Sequence, residues 1–279
     1  MSDQTAVPPV QQLVLRNQWS SPGALLREFW RSRDLCITLA RKDFFVRYRR
    51  AVFGLLWSVA IPAIQAVVLS IIFTRVAKIQ VPHYPLFIFS GLVCWTFFTS
   101  AVGAGATSIV DNSGLSSRIY FPRAVLPVSA CLSNVFSLLA SIVILLAVAT
   151  VSGQLPGLYT LRLIPAVLLI VAFSVSLTSM LAALHVYFRD TRYVVQAAIL
   201  VWFYVTPIFY PNRLLHGWAA QIVRANPVTG AAELFHASVI SGFAIDWLSV
   251  LASVLWTIAL GAVAFILHCR WDRVFADLL

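Results

Sequence analysis

The chain has 279 residues, 60% of them apolar and only 11% charged, with a mean hydropathy of +0.88 and a formal net charge of +10. A soluble domain of this size cannot hide so large an apolar fraction, so lipid must be its main solvent. The apolar runs lack the period-two alternation of a membrane barrel strand, which leaves an all-α integral membrane protein.

Residues 1–20 are polar or weakly apolar, with Pro8 and Pro9 adjacent, and read as a flexible cytoplasmic tail without the features of a secretory signal. Ser21-Pro22 suits a helix start. Leu25, Leu26, Phe29 and Trp30 then share one face, while Arg27, Arg31 and Arg33 fall largely on the other. Residues 21–51 are therefore expected to form an amphipathic interfacial and basic segment, the alternative being a buried soluble helix. Arg41, Lys42, Arg47, Tyr48, Arg49 and Arg50 close it as a basic collar, and charge stops at Ala51.

From Val52 to Thr74 no side chain is ionisable. Twenty-three helical residues at about 1.5 Å each make roughly 34 Å, enough to cross a hydrocarbon core of about 30 Å. Further spans are expected at about 86–110, 124–151, 163–188, 194–210 and 246–268, giving a six-helix transmembrane domain over 52–268 and a cytoplasmic tail at 269–279. The segments on the N-terminal side of the membrane carry fifteen Lys and Arg residues against five on the other, so both termini are expected in the cytoplasm. The net charge is chiefly this topology signal, with attraction to anionic lipid headgroups second, and it does not mark a nucleic-acid binder.

Pro62 and Pro207 are expected to kink spans one and five. Gly103 and Gly105, among Ala101, Ala104 and Ala106, give span two a smooth packing face. The loop 111–123, with Asp111, Leu115, Arg118, Ile119, Tyr120, Phe121 and Arg123, reads either as a solvated turn or as an apolar knob that docks in a partner's groove. Residues 213–241 hold two apolar stretches broken by Asn226-Pro227, each too short to cross. They are expected to form a re-entrant outer helical hairpin between helices five and six, the alternative being two helices resting on the outer leaflet.

No acidic residue lies in the interior of a span, and His83, His216, His236 and His268 are placed at interfaces or loops, so a proton-coupled transporter or membrane hydrolase is disfavoured. Cys36, Cys94, Cys131 and Cys269 show no metal-binding spacing, and no metal site is expected. The only lysines are Lys42 and Lys78, neither preceded by glycine, so there is no phosphate-binding loop. Any ATP-driven work needs a motor on another polypeptide. Sugar rings present apolar C–H faces and polar edges, so Trp57, Trp95, Phe97, Phe98, Trp202, Phe203, Tyr204, Phe209 and Tyr210 are candidates to line a glycan or lipid path; interfacial anchoring and plain packing are the competing roles.

The run Arg41-Lys42-Asp43-Phe44-Phe45-Val46-Arg47-Tyr48-Arg49, then Gly54-Leu55-Leu56-Trp57 and Pro62, resembles the start of the membrane subunits of type-2 ABC exporters for cell-surface polysaccharides such as O-antigen, teichoic acid or galactan. The likeness continues through Phe89-Ser90-Gly91-Leu92, Trp95-Thr96-Phe97-Phe98, Tyr120-Phe121-Pro122-Arg123, Leu126-Pro127, Tyr187-Phe188-Arg189-Asp190, Thr206-Pro207-Ile208, Tyr210-Pro211 and Asn226-Pro227. Arg50 and the stretch Glu233-Leu234-Phe235-His236 depart from the family pattern. The resemblance implies a homodimer in the bacterial inner membrane, joined to two copies of a separate ATPase that carries ATP and Mg, and exporting a lipid-linked polysaccharide. It makes 111–123 the ATPase-coupling loop and the tail helix an interfacial helix, and puts the 213–241 hairpin at the exit. Alternatives are a permease for a drug or simple lipid, or a non-transport component of a wall-glycan synthesis complex.

Overall fold

The computed structural model describes residues 22–49, 54, 56–75, 81–116 and 121–271. Two helices lead the described chain, α1 (Pro22–Arg31) and α2 (Arg33–Tyr48). Cys36, Leu39 and Ala40 of α2 face inward against the membrane helix α7 (Val125–Val151), while Trp30, Phe45 and Val46 remain outside at 69%, 65% and 67% exposure. The outward surface of the two helices mixes these apolar side chains with exposed Arg33, Asp34, Arg41 and Lys42. Gly54, at φ 46°, takes the left-handed turn into the first long helix, a conformation open to glycine because it has no Cβ.

Among the described residues, five helices are long and apolar enough to cross a membrane: α3 (Leu56–Arg75), α4 (Tyr84–Ala106), α7, α8 (Leu163–Tyr187, preceded by a 3-10 turn) and α12 (Trp247–Trp271). Short helices α5 (Ser108–Asp111) and α6 (Ser113–Ser116) follow α4. Helix α4 is the centre: every residue from Leu86 to Trp95 is buried, against α3, α7, α8 and the hairpin. Where the hydrocarbon is as apolar as the side chains, association rests on close packing, and small residues permit it. A Cβ on Gly105 would lie 2.7 Å from the Thr178 side chain of α8; Gly103, by contrast, meets open space.

The fifth expected span begins three residues early and ends five short. Helix α9 (Thr191–Val205) stops because Thr206, the residue before Pro207, is extended at ψ 133°. A proline ring excludes the helical conformation from the residue before it and offers no N–H to continue the ladder. Pro207 therefore terminates this helix instead of kinking it, whereas Pro62 does lie inside α3. Fifteen residues cover only about 22 Å. The chain continues as non-helical backbone through Tyr210 and reaches α4, where the Tyr84 hydroxyl donates to the Phe209 carbonyl at 2.5 Å. Gly91 admits this segment, since a Cβ there would stand 3.0 Å from the Ile208 carbonyl oxygen.

The 213–241 region is two unlike helices. Helix α10 (Gly217–Ala225) buries only Val223 and exposes Trp218 by 76%. Helix α11 (Thr229–Val239) is buried on every side among α4, α8 and α12. His236, expected at an interface, is 1% exposed: its ring stacks on Phe87 at 3.9 Å and its nitrogens meet Ser90 Oγ at 2.8 Å and the Pro207 carbonyl at 3.2 Å. Gly230 lets α11 press on α12, with Ser249 O only 2.6 Å from where its Cβ would be.

Candidate functional site

At the α2 end of the bundle, a small core joins Cys36 and Leu39 of α2, Ile109 of α5, Val125 and Leu126 of α7, and Ala182, Ala183 and Val186 of α8. Phe121 sits inside this core at 4% exposure, and Arg123 is 3% exposed. Both therefore anchor the 111–123 loop to its own subunit instead of projecting from it. Asp111 lies at the surface, its carboxylate accepting from the Thr107 hydroxyl at 2.6 Å, and Leu115 is half-buried beside the core. Arg118, Ile119 and Tyr120 lie outside the described residues, as does Arg50.

The collar residues divide into two groups. Arg47 and Tyr48 turn to α7, where the guanidinium donates to Asn134 Oδ1 at 2.5 Å and the phenol pairs with Ser137 Oγ at 2.9 Å. Arg41 and Arg49, like Arg47 itself, are exposed. Phe29 packs partly on the small core, while the Arg33 guanidinium lies 5.4 Å over the exposed Trp30 ring. Trp57, at the start of α3, shares a cavity of about 270 Å³ with Arg47, Tyr48, Thr96 and Ser137. It thus groups with the collar, together with Phe97, which lines the same cavity.

Trp95, Phe98, Trp202, Phe203, Tyr204, Phe209 and Tyr210 form one connected rib. Trp95 and Phe98 are buried at 7% and 0% exposure, and Phe98 meets Trp202 edge-on at 5.3 Å, so these two are packing within the subunit. Outward from them, Phe203 contacts Tyr204 at 5.4 Å and Phe209 at 5.6 Å, Phe209 meets Tyr210 at 5.1 Å, and the Tyr210 hydroxyl donates to the Tyr204 carbonyl at 3.1 Å. Tyr204 is 64% exposed. A series of ring edges and faces with a free phenol is suited to flat, hydroxyl-rich ligands.

Asn226 ties this rib to the hairpin. Its Oδ1 accepts from the Trp202 indole at 2.9 Å and from the Val228 backbone N–H at 3.0 Å, and its Nδ2 donates to Thr206 Oγ1 at 3.0 Å. The Asn226-Pro227 pair was visible in the sequence as a break, but its long-range bonding was not. Beyond it stands a second polar group. Glu233 Oε2 accepts from the Asp246 N–H at 2.7 Å, Glu233 Oε1 from Asn212 at 3.3 Å, and the Arg224 guanidinium donates to Asp246 Oδ2 at 2.5 Å. Burial pushes the Glu233 carboxyl up to about 7, against the bonds from Asp246 N–H and Asn212 that favour its charge. The only sequence signal for this group was an acidic residue in the middle of an apolar stretch.

The described residues form an all-α bundle with five helices long and apolar enough to cross a membrane, the architecture of a multi-pass membrane protein. The family comparison agrees: residues 34–240 match the ABC-2 type transporter model, and the chain belongs to that family. It is 33% identical over 215 residues to the O-antigen export system permease protein RfbA of Myxococcus xanthus, covering 76% of this chain and 83% of that one. A protein of the same name from Klebsiella pneumoniae is 33% identical over 196 residues, covering 70% and 76%, and another from that organism is 31% identical over the same length.

Proposed function

We propose that this chain is the permease subunit of an ATP-driven exporter of a lipid-linked polysaccharide in the bacterial inner membrane. The observation that carries the reading is the likeness over most of its length to O-antigen export permeases, and the exposed aromatic rib ending in Tyr204 and Tyr210 is chemistry suited to sugar rings. The working unit is a homodimer with two copies of a separate ATPase that binds ATP and Mg, both termini being cytoplasmic. Helix α9 with the segment 206–210 makes the sixth crossing, and α11 is the re-entrant arm of the exit hairpin. The apolar faces left open on α3, α9 and α12 are met by lipid and by the second copy.

The ATPase docks at the α5–α6 surface around Asp111 and Leu115, with Arg118, Ile119 and Tyr120 completing the contact. Phe121 and Arg123 pass its displacement to α2, α7 and α8 through the small core. Nucleotide-driven closure of the ATPase pair then moves the collar and parts the α3 and α9 surfaces across the dimer. Purifying the chain with its ATPase from its own cell and analysing the bound lipid tests this reading. A polyprenyl- or diacyl-linked polysaccharide is expected; a complex that carries only ordinary phospholipid would contradict it.

A further inference from the structure

At the end of the bundle opposite the collar lies a cavity of about 530 Å³, within the range of small-molecule sites. The residues after Tyr210 form one wall, α10 and α11 a second, and the turn before α12 a third. Its lining mixes hydrogen-bonding groups with apolar surface. Its polar members include Asn212, His216, Arg224, Glu233 and Asp246, and Phe243 supplies a ring. Three features restrict what fits. First, the lining carries both signs: Asp246 and Glu233, the latter partly protonated near neutral pH, stand with Arg213 and Arg224, and Arg224 is already bonded to Asp246. The residual imbalance is small, so the lining does not strongly favour an anion or a cation. Second, the groups offer carboxylate acceptors, guanidinium and amide donors side by side, and the Asn212 Oδ1 is buried with no hydrogen-bond partner among the described residues. A buried acceptor left unmade is costly, and a hydroxylated ligand that reorders this wall satisfies it. Third, Pro211 places the cavity directly at the end of the aromatic rib.

We propose that this cavity is a saccharide-holding subsite, taking an uncharged, polyhydroxylated segment of the exported glycan as it leaves the rib. The proposal rests on the export reading above and adds a place where the chain is held on the far side, which opposes backsliding between strokes. Phe243, packed on one side against Phe87 and His236 at 6.1 and 5.7 Å, is a fixed platform for a sugar face. Glu233 is held by the Asp246 N–H at 2.7 Å, so its carboxylate keeps its place when the Asn212 amide turns toward the ligand.

The test uses Ser241→Cys, an exposed position on the cavity rim, in the detergent-purified complex with the ATPase. The native cysteines are all buried and stay in place. The probe is the cell's own surface polysaccharide, freed from lipid by mild acid and size-fractionated, with inorganic phosphate as the competing headgroup chemistry. The polysaccharide should slow maleimide labelling of S241C, and phosphate should not. Asn212→Ala and the surface variant His216→Ala, which leaves the interior untouched, should each raise the half-protecting concentration by about tenfold, the scale of one lost hydrogen bond. Protection by phosphate, or protection unchanged in both variants, overturns the proposal. Absence of protection overturns the subsite alone if depletion of the chain still removes the surface polysaccharide; if depletion leaves that polysaccharide intact, the export reading has failed instead.

Discussion

Replacing Asn226 by Ala removes the joint between the aromatic rib and the hairpin while leaving both helices intact. The loss orphans two donors, the Trp202 indole and the N–H of Val228, which is 1% exposed. Each such orphan costs about 1–3 kcal/mol. Thr206 keeps its bond to the Trp202 carbonyl at 3.0 Å, and the Asn226 contact to the Val205 carbonyl is long at 3.4 Å, so these add little. The expected cost is about 3 kcal/mol, which corresponds to a fall in Tm on the order of 6 °C or more. Thermal unfolding in lipid nanodiscs, followed by tryptophan fluorescence, measures it. Trp202→Phe in the same background removes one of the orphaned donors, so the double variant should cost less than the sum of the singles by about 1 kcal/mol. A Tm for N226A within about 1 °C of the parent, with additive double-variant behaviour, would refute the assignment of Asn226 as a joint.

Phe121→Ala should cost about 3–5 kcal/mol as a cavity in the small core, reducing folded yield as well as export, whereas Leu115→Glu, at a residue that only borders that core, should cost less and uncouple ATP hydrolysis from export. Equal effects of the two on yield would remove the distinction between anchor and docking surface. Gly230→Ala should destabilise by about 1–3 kcal/mol, since the new Cβ meets α12 backbone that cannot swing aside, while Gly103→Ala should be neutral; comparison of their melting temperatures decides it. Glu233 has its folded value raised from 4.5 to about 7, so between those pH values the folded chain keeps a proton the unfolded chain has released. Stability should therefore fall as pH rises through that window and remain at its lower level above it. Glu233→Gln should flatten this dependence, and a pH profile identical to the parent's would show that another group is responsible.

Most helix positions were legible because continuous apolar runs bounded by Arg, Asp or Pro leave few places for a backbone to enter lipid. The end of α9 was not, since Ile208, Phe209 and Tyr210 prolong the apolar run past the point where Thr206-Pro207 breaks the helix. Hydropathy counts side chains and is blind to a missing N–H. Phe121 read either as part of a solvated turn or as a projecting knob because it sits in a short connection between spans, yet the core it joins comes from α2, α5, α7 and α8. His236 was assigned to an interface or loop because it lies outside the expected spans, and only the fold shows Phe87, Ser90 and Pro207 around it. Among the path aromatics, composition could not separate Trp95 and Phe98, which pack inside, from Tyr204, which faces out. The Asn212–Glu233–Asp246–Arg224 group draws on residues up to 34 positions apart, a separation no local pattern reports.

The central claim is that the chain passes a lipid-linked polysaccharide across the membrane, and inverted vesicles test it most directly. Vesicles carrying the chain with its ATPase are loaded on the outer, cytoplasmic face with the cell's radiolabelled lipid-linked polysaccharide. ATP should then make the label resistant to an added glycosidase, and omission of ATP or the L115E variant should abolish that protection. Label that stays fully digestible in the presence of ATP, in vesicles whose ATPase is active, would contradict the account.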